Sequence, residues 1–270
     1  MNTTVNSTAR STGKKKADAP RALTLKPVHM RKLAAIIDVK SRALFSKNFI
    51  IMPVFSLGFT FLMQVIYEKA SGGMAAMNAY ALAMGMLMNV SMMGFYCTAA
   101  SLAEEKEKNT LRTLMTSSVN GLEFFLGSLI PIVLMTEVVN VLCVFIVHMT
   151  MSPMQWAAYL AVTTTASVIA SVGGMLLGIF AKNQVSASTL TTPVVLVFMM
   201  IPMFTGFSET LQKISMFFFT GIAFDAIANI SNGLPAVDVK GIAVLAAEFI
   251  LSVILFLILY RRNEIGRAHV

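Results

Sequence analysis

Six mostly apolar stretches succeed one another along the chain, near residues 48–67, 76–103, 122–148, 156–181, 185–205 and 239–260. A hydrocarbon core of about 30 Å is crossed by about 20 helical residues rising about 1.5 Å each, so every stretch predicts one membrane-spanning helix. The fourth and fifth are separated only by Lys182, Asn183 and Gln184, a polar turn tight enough to make them antiparallel neighbours. Ahead of the first span, residues 28–47 alternate at helical spacing. Leu33, Ile36, Ile37 and Leu44 share one face, and Arg31, Asp38 and Arg42 another. That pattern predicts an amphipathic connecting helix, lying in the membrane interface or leaning on a soluble partner. Residues 1–27, with the run Lys14, Lys15, Lys16, hold too little apolar surface to order themselves and read as a disordered basic tail with no cleaved signal. Between the fifth and sixth spans, residues 206–238 mix Phe217, Phe218 and Phe219 with Glu209, Lys213, Asp225 and Asp238. A run from Ser208 to about Ile230 reads as one or two short helices partly sunk in the outer leaflet, not as a seventh span. The domain order is therefore a tail at 1–27, the connecting helix at 28–47, a six-span domain at 48–262 and a short end at 263–270.

Composition agrees: 56% of residues are hydrophobic and only 13% charged, far from soluble usage, and the fold class is an all-α integral membrane protein. The charges set its orientation. Arg31, Lys32, Lys40, Arg42, Lys47, Lys106, Lys108, Arg112, Lys182, Arg261 and Arg262 fall on one side of the six spans, and only Lys69, Lys213 and Lys240 on the other. The positive-inside rule then places both termini in the cytoplasm. Tyr67, Tyr80, Trp156, Tyr159 and Tyr260 sit near span ends, as interfacial rings prefer. The net charge of +8 is taken up by this asymmetry, which leaves nucleic-acid binding unsupported. Cys97 and Cys143 form neither a CxxC nor a zinc spacing, and the three histidines no HExxH, so a metal site, a disulfide framework or a self-contained enzyme is not expected. The terminal Ile265, Gly266, Arg267, Ala268, His269 and Val270 resemble a translated sequencing-library adapter and read as foreign.

The most informative segment joins the second and third spans: Glu104, Glu105, Lys106, Glu107, Lys108, Asn109, Thr110, Leu111, Arg112, Thr113, Leu114, Met115, Thr116, Ser117, Ser118, Val119, Asn120, Gly121, Leu122, Glu123, and on to Gly127. It reads as a charged helix end, a short amphipathic helix bearing Leu111, Leu114 and Met115, and a Ser/Asn/Gly break before the next span. Its bland reading is an ordinary amphipathic loop helix.

The segment resembles the signature of the ABC type-2 permease family, roughly Glu-x-Glu-x-Gly-Thr-Leu-x-x-Leu, then Ser-Pro-Val, a Glu and a Gly-Lys entering the following span. Glu105, Glu107, Thr110, Leu111, Leu114, Ser117, Val119, Glu123 and Gly127 fall on it; Asn109, Ser118 and Ser128 stand where Gly, Pro and Lys are usual. The resemblance implies a cytoplasmic coupling helix over this segment and short extracellular helices before span six. It implies a second permease, as homodimer or heterodimer, and ATP-binding subunits on separate chains. ATP and Mg would be held by those partners, because this sequence has no Gly-x-x-x-x-Gly-Lys-Ser/Thr phosphate loop. It implies an exporter of peptide, drug, lipid-linked molecule or ion in a bacterial plasma membrane. It also sets the second and fifth spans along the central path, with Asn89, Met92, Phe198 and Met199 as candidate wall residues.

Two further features stand apart from the signature. Glu137 and Glu248 fall near the middle of the third and sixth spans, where a charged carboxylate costs roughly 2.5–3.5 kcal/mol. Thr136, Glu137, Asn140 and His148 make a polar stripe that would meet Glu248, either as a substrate or cation path or as a protonated Glu bonded between helices. An ATP-independent channel or ion-coupled carrier using the two glutamates is the alternative function. Ala166, Ala170, Gly174 and Gly178 form a small-xxx-small stripe that packs against a neighbouring span or a second copy. The 21 methionines, several in span two, offer either an adaptable surface or soft packing.

Overall fold

The computed structural model describes residues 28–71, 75–110 and 121–267. The tail at 1–27 and Leu111, Leu114, Ser117 and Val119 of the coupling segment lie outside the described residues. Among the described residues a leading helix, Met30–Leu44, precedes six helices long and apolar enough to cross a membrane. These are span one Phe49–Ala70, span two Met77–Glu107, span three Leu122–Ile146, span four Pro153–Phe180, span five Gln184–Met203 and span six Val239–Ile258. Before span six come two short helices, Glu209–Ser215 and Phe219–Ser231, bent by 103° at their junction. The end of the bundle where the chain enters span one is called the entry end below, and the opposite one the far end.

Helix stops are written locally. Span four starts with a capping box: the Ser152 side chain accepts from Gln155 N–H, the Gln155 side chain accepts from Ser152 N–H, and Pro153 fills the first turn. Asn183 caps span five, its side chain accepting from Ser186 N–H at 2.8 Å, so the predicted polar turn is the three residues from Ala181 to Asn183. Spans two and three each end on a residue in the left-handed region, Asn109 at φ 57° and His148 at φ 53°. His148 N–H donates to Phe145 O and Met149 N–H to Val144 O, and Asn109 N–H likewise donates to Lys106 O. His148 thus lies beyond the helix and exposed, and it does not extend the polar stripe of span three as the sequence suggested.

Span two is the axis of the bundle: 83% of its most apolar stretch is buried, against 17% for span six. Its middle, Val90–Cys97, is π-helical, and span four crosses it there at backbone contact. A Cβ on Gly174 would lie 2.4 Å from Gly94 O and 2.6 Å from Phe95 O, and one on Gly178 3.1 Å from Ala99 Cα. The small-residue stripe of span four is therefore spent on span two of the same chain. Met84, Met86 and Met93 are buried in this seam and its surroundings, so these methionines are core and not a free surface. The helix Phe219–Ser231 buries Phe219, Ile222, Ala223, Ile227 and Ile230 against the same core, together with Tyr159 and Leu82. Its apolar face is thus used by the bundle.

Candidate functional site

The entry end gathers the charged residues of span two around three neighbouring elements. Lys106, in the last turn of span two, donates from Nζ to the carbonyls of Gly178 (2.8 Å), Ile179 and Ala181 (3.1 Å). Those carbonyls close span four and have no partner within their own helix, so the ammonium satisfies them and meets the negative end of the helix dipole. Glu104 accepts from Gln184 Nε2 of span five at 2.9 Å and pairs with Lys108, whose ammonium that hydrogen bond and charge hold above the ordinary lysine value. Glu105 pairs with Lys40 of the leading helix, and Lys40 Nζ also sits 5.1 Å from the centre of the Phe124 ring in span three. Only 6% of Lys40 is exposed. Burial pushes its pKa down, and the charge and hydrogen bond of Glu105, then the charge of Glu104, push back.

The other flank of the coupling segment is fastened to the same helix. Glu123, in the first turn of span three, is fully buried, and its Oε1 accepts from His29 N–H (2.7 Å) and stands 3.1 Å from His29 Nδ1. His29 is the residue that opens the leading helix, so Glu123 takes one of its unpaired amide hydrogens while favouring the N-terminus of its own span. A turn later, a Cβ on Gly127 would lie 2.5 Å from Ile36 Cγ2, so the leading helix rests on span three where the signature requires a glycine.

The remaining signature residues have local roles. Asn109 closes span two at φ 57°, a left-handed conformation that favours glycine and that Asn tolerates next best. Thr110 Oγ1 donates to Glu105 O at 3.2 Å, capping span two, and Glu107 is exposed. Sequence reading missed Lys40, Lys106 and Gln184. A lysine in the last turn of an otherwise apolar span was the available signal, but its target lies 72 residues away.

Within the bundle, Asn89 is fully buried and donates from Nδ2 to Thr136 O (2.9 Å) and Asn140 Oδ1 (2.8 Å), tying span two to span three. Asn140 Nδ2 in turn reaches Glu137 Oε1 at 3.2 Å. Glu137 turns to span four, accepting from Thr163 (2.7 Å) and Ser167 (2.9 Å). Glu248 takes a separate partner, the backbone N–H of Phe219 at the start of a far-end helix, so the expected meeting of the two carboxylates is replaced by two unconnected sites. Phe198 stacks among Phe95, Phe218 and Phe219 with centroids 5.2–5.3 Å apart, and Met92 and Met199, half-buried, pack on the same core. Among the described residues no group of three or more His, Cys, Asp or Glu is placed to hold a metal ion.

Six apolar helices among the described residues, with a polar network between them and charged ties at one end, define a multi-pass membrane protein. The family model described as ABC-2 family transporter protein matches residues 75–258, and the chain belongs to that family. It is accordingly a permease, the membrane subunit of an ABC transporter that works with ATP-binding subunits. No curated protein matches the chain.

Proposed function

We propose that this permease is the membrane-spanning half of an ATP-driven exporter in a bacterial plasma membrane. It pairs with a second permease, identical or related, and with ATP-binding subunits that hold ATP and Mg. The entry end faces the cytoplasm, in keeping with the Lys and Arg gathered there, and the far-end helices face outward. Residues 104–123 act as the coupling segment, and closure of the ATP-binding subunits presses on it to drive alternating access. The cargo is a peptide, a drug, a lipid-linked molecule or an ion.

The observation that carries this reading is the set of ties on both flanks of the segment. Lys106 holds span four, Glu104 span five, and Glu105 and Glu123 the leading helix. A push on residues 104–123 therefore bears on the leading helix and on spans two to five together. The test uses Leu111→Ala and Leu114→Ala in the full complex reconstituted in liposomes. Both variants are expected to keep basal ATP hydrolysis and lose its stimulation by transport; retained stimulation in both would remove the coupling role.

A further inference from the structure

The hydrogen-bond network around Glu137 has a property that interhelical packing does not require. Thr163 Oγ1 lies 2.7 Å from Glu137 Oε2 and also 3.0 Å from its own Tyr159 O. Ser167 Oγ lies 2.9 Å from Glu137 Oε1 and 2.7 Å from Thr163 O. Thr164 is a further hydroxyl partner of the carboxylate. Thr163 and Ser167 each have one hydrogen and more than one acceptor within reach, so each can point at the carboxylate or back at its helix. Asn140 contributes a fixed donor: Asn89 donates to its Oδ1 at 2.8 Å, which turns its amide nitrogen toward Glu137.

We infer that Glu137, with Asn140, Thr163 and Ser167, forms a reversible proton-binding site inside the membrane. With the carboxylate ionised, Asn140 and the hydroxyls all donate to it. On protonation, hydronium gives up its proton to Oε2 and leaves as water, and the charge falls from minus one to zero. The new O–H donates to Thr163 Oγ1, whose own hydrogen turns to Tyr159 O, while Oε1 keeps the Asn140 bond. No heavy atom moves and no buried donor is left without an acceptor, so the two states differ only by rotation of hydroxyl hydrogens. A purely structural glutamate would need one satisfied state; this one has two.

The surroundings favour exchange over an ion pair. Among the described residues no cation pairs with Glu137. The titratable groups facing the cluster are Tyr159 of span four, whose hydroxyl is committed to Asn140 O at 3.0 Å, and Cys143 of span three. Span one presents Thr60, 3.2 Å from Cys143 Sγ, and span two presents Asn89. Glu137 is half-buried, flanked by the exposed Leu134 and Val138 and by exposed Thr164, so it borders the outer surface of the single chain. An apolar reagent dissolved in the bilayer can reach it. The inference goes beyond the coupling role and does not rest on it.

The test is labelling of the full chain in liposomes by dicyclohexylcarbodiimide, which reacts with protonated carboxyls in apolar surroundings, read by mass spectrometry of the Glu137 peptide. Labelling is expected at Glu137 and falls about tenfold per pH unit above its midpoint. In Ser167→Ala, which removes a donor to Oε1 of the ionised form and leaves the acceptor of the new O–H in place, labelling persists to pH about one unit higher. The infrared band of protonated carboxyls loses one component, titrating over the same range, in Glu137→Gln, which keeps the side-chain shape. Absence of labelling, labelling independent of pH, or an infrared band unchanged in Glu137→Gln would each overturn the site. Protection by sodium at constant pH would assign it to a metal cation and overturn the proton.

Discussion

Asn109 illustrates how a departure from a family pattern is absorbed by backbone chemistry. Its φ of 57° closes span two, and Thr110 beside it takes the Glu105 carbonyl. Asn109→Gly is expected to leave thermal stability within a few tenths of a kcal/mol, whereas Asn109→Val costs about 1–2 kcal/mol, both read from melting of the solubilised protein. Lys106 satisfies three carbonyls of another span, and Lys106→Met is expected to cost about 1.5–3 kcal/mol by the same measurement. The Lys40–Glu105 pair obeys a different rule, because removing one partner leaves a buried charge alone. Either single change, Lys40→Met or Glu105→Gln, is expected to cost about 3–5 kcal/mol and the double change much less. Burial holds Lys40 below its ordinary value near 10.5, so between its folded value and 10.5 the unfolded chain binds the extra proton. Stability should therefore rise with pH through that window, and melting curves of the double variant should lose the rise.

At the scale of elements, the spans were legible because a continuous apolar run of about 20 residues has few other uses, and Ser152, Pro153 and Asn183 mark their starts chemically. The end of span three was not: His148 continues the helical spacing of Thr136 and Asn140, but the helix has already closed at Ile146 and His148 itself takes the left-handed conformation, which spacing does not record. The partners of Glu137 were also hidden. Thr163 and Ser167 look like any Ser or Thr bonding back to their own helix, and their facing Glu137 depends on how span four is rotated against span three. No periodicity within one span records that rotation. The glycine stripe was readable as a close contact, and its target, the π-helical middle of span two, only from the structure. Gly174→Ala should cost about 1–3 kcal/mol, since its Cβ meets backbone oxygen, while Gly58→Ala, with nothing within 4 Å, should be neutral or mildly stabilising.

At the scale of the whole molecule, the charged residues divide between two tasks. At the entry end they bolt the flanks of residues 104–123 to the leading helix and to spans four and five, and inside the bundle Glu137 and Glu248 serve separate sites. The central claim is that residues 104–123 receive the stroke of an ATP-binding subunit. It is tested most directly by Leu114→Cys in the intact complex, probed with a short bifunctional thiol-to-amine cross-linker; Cys97 and Cys143 are buried and give a low background. The account predicts an adduct between the permease and an ATP-binding chain whose yield changes between nucleotide-free and ATP-bound states. A complex that hydrolyses ATP yet gives no such adduct in either state would contradict it.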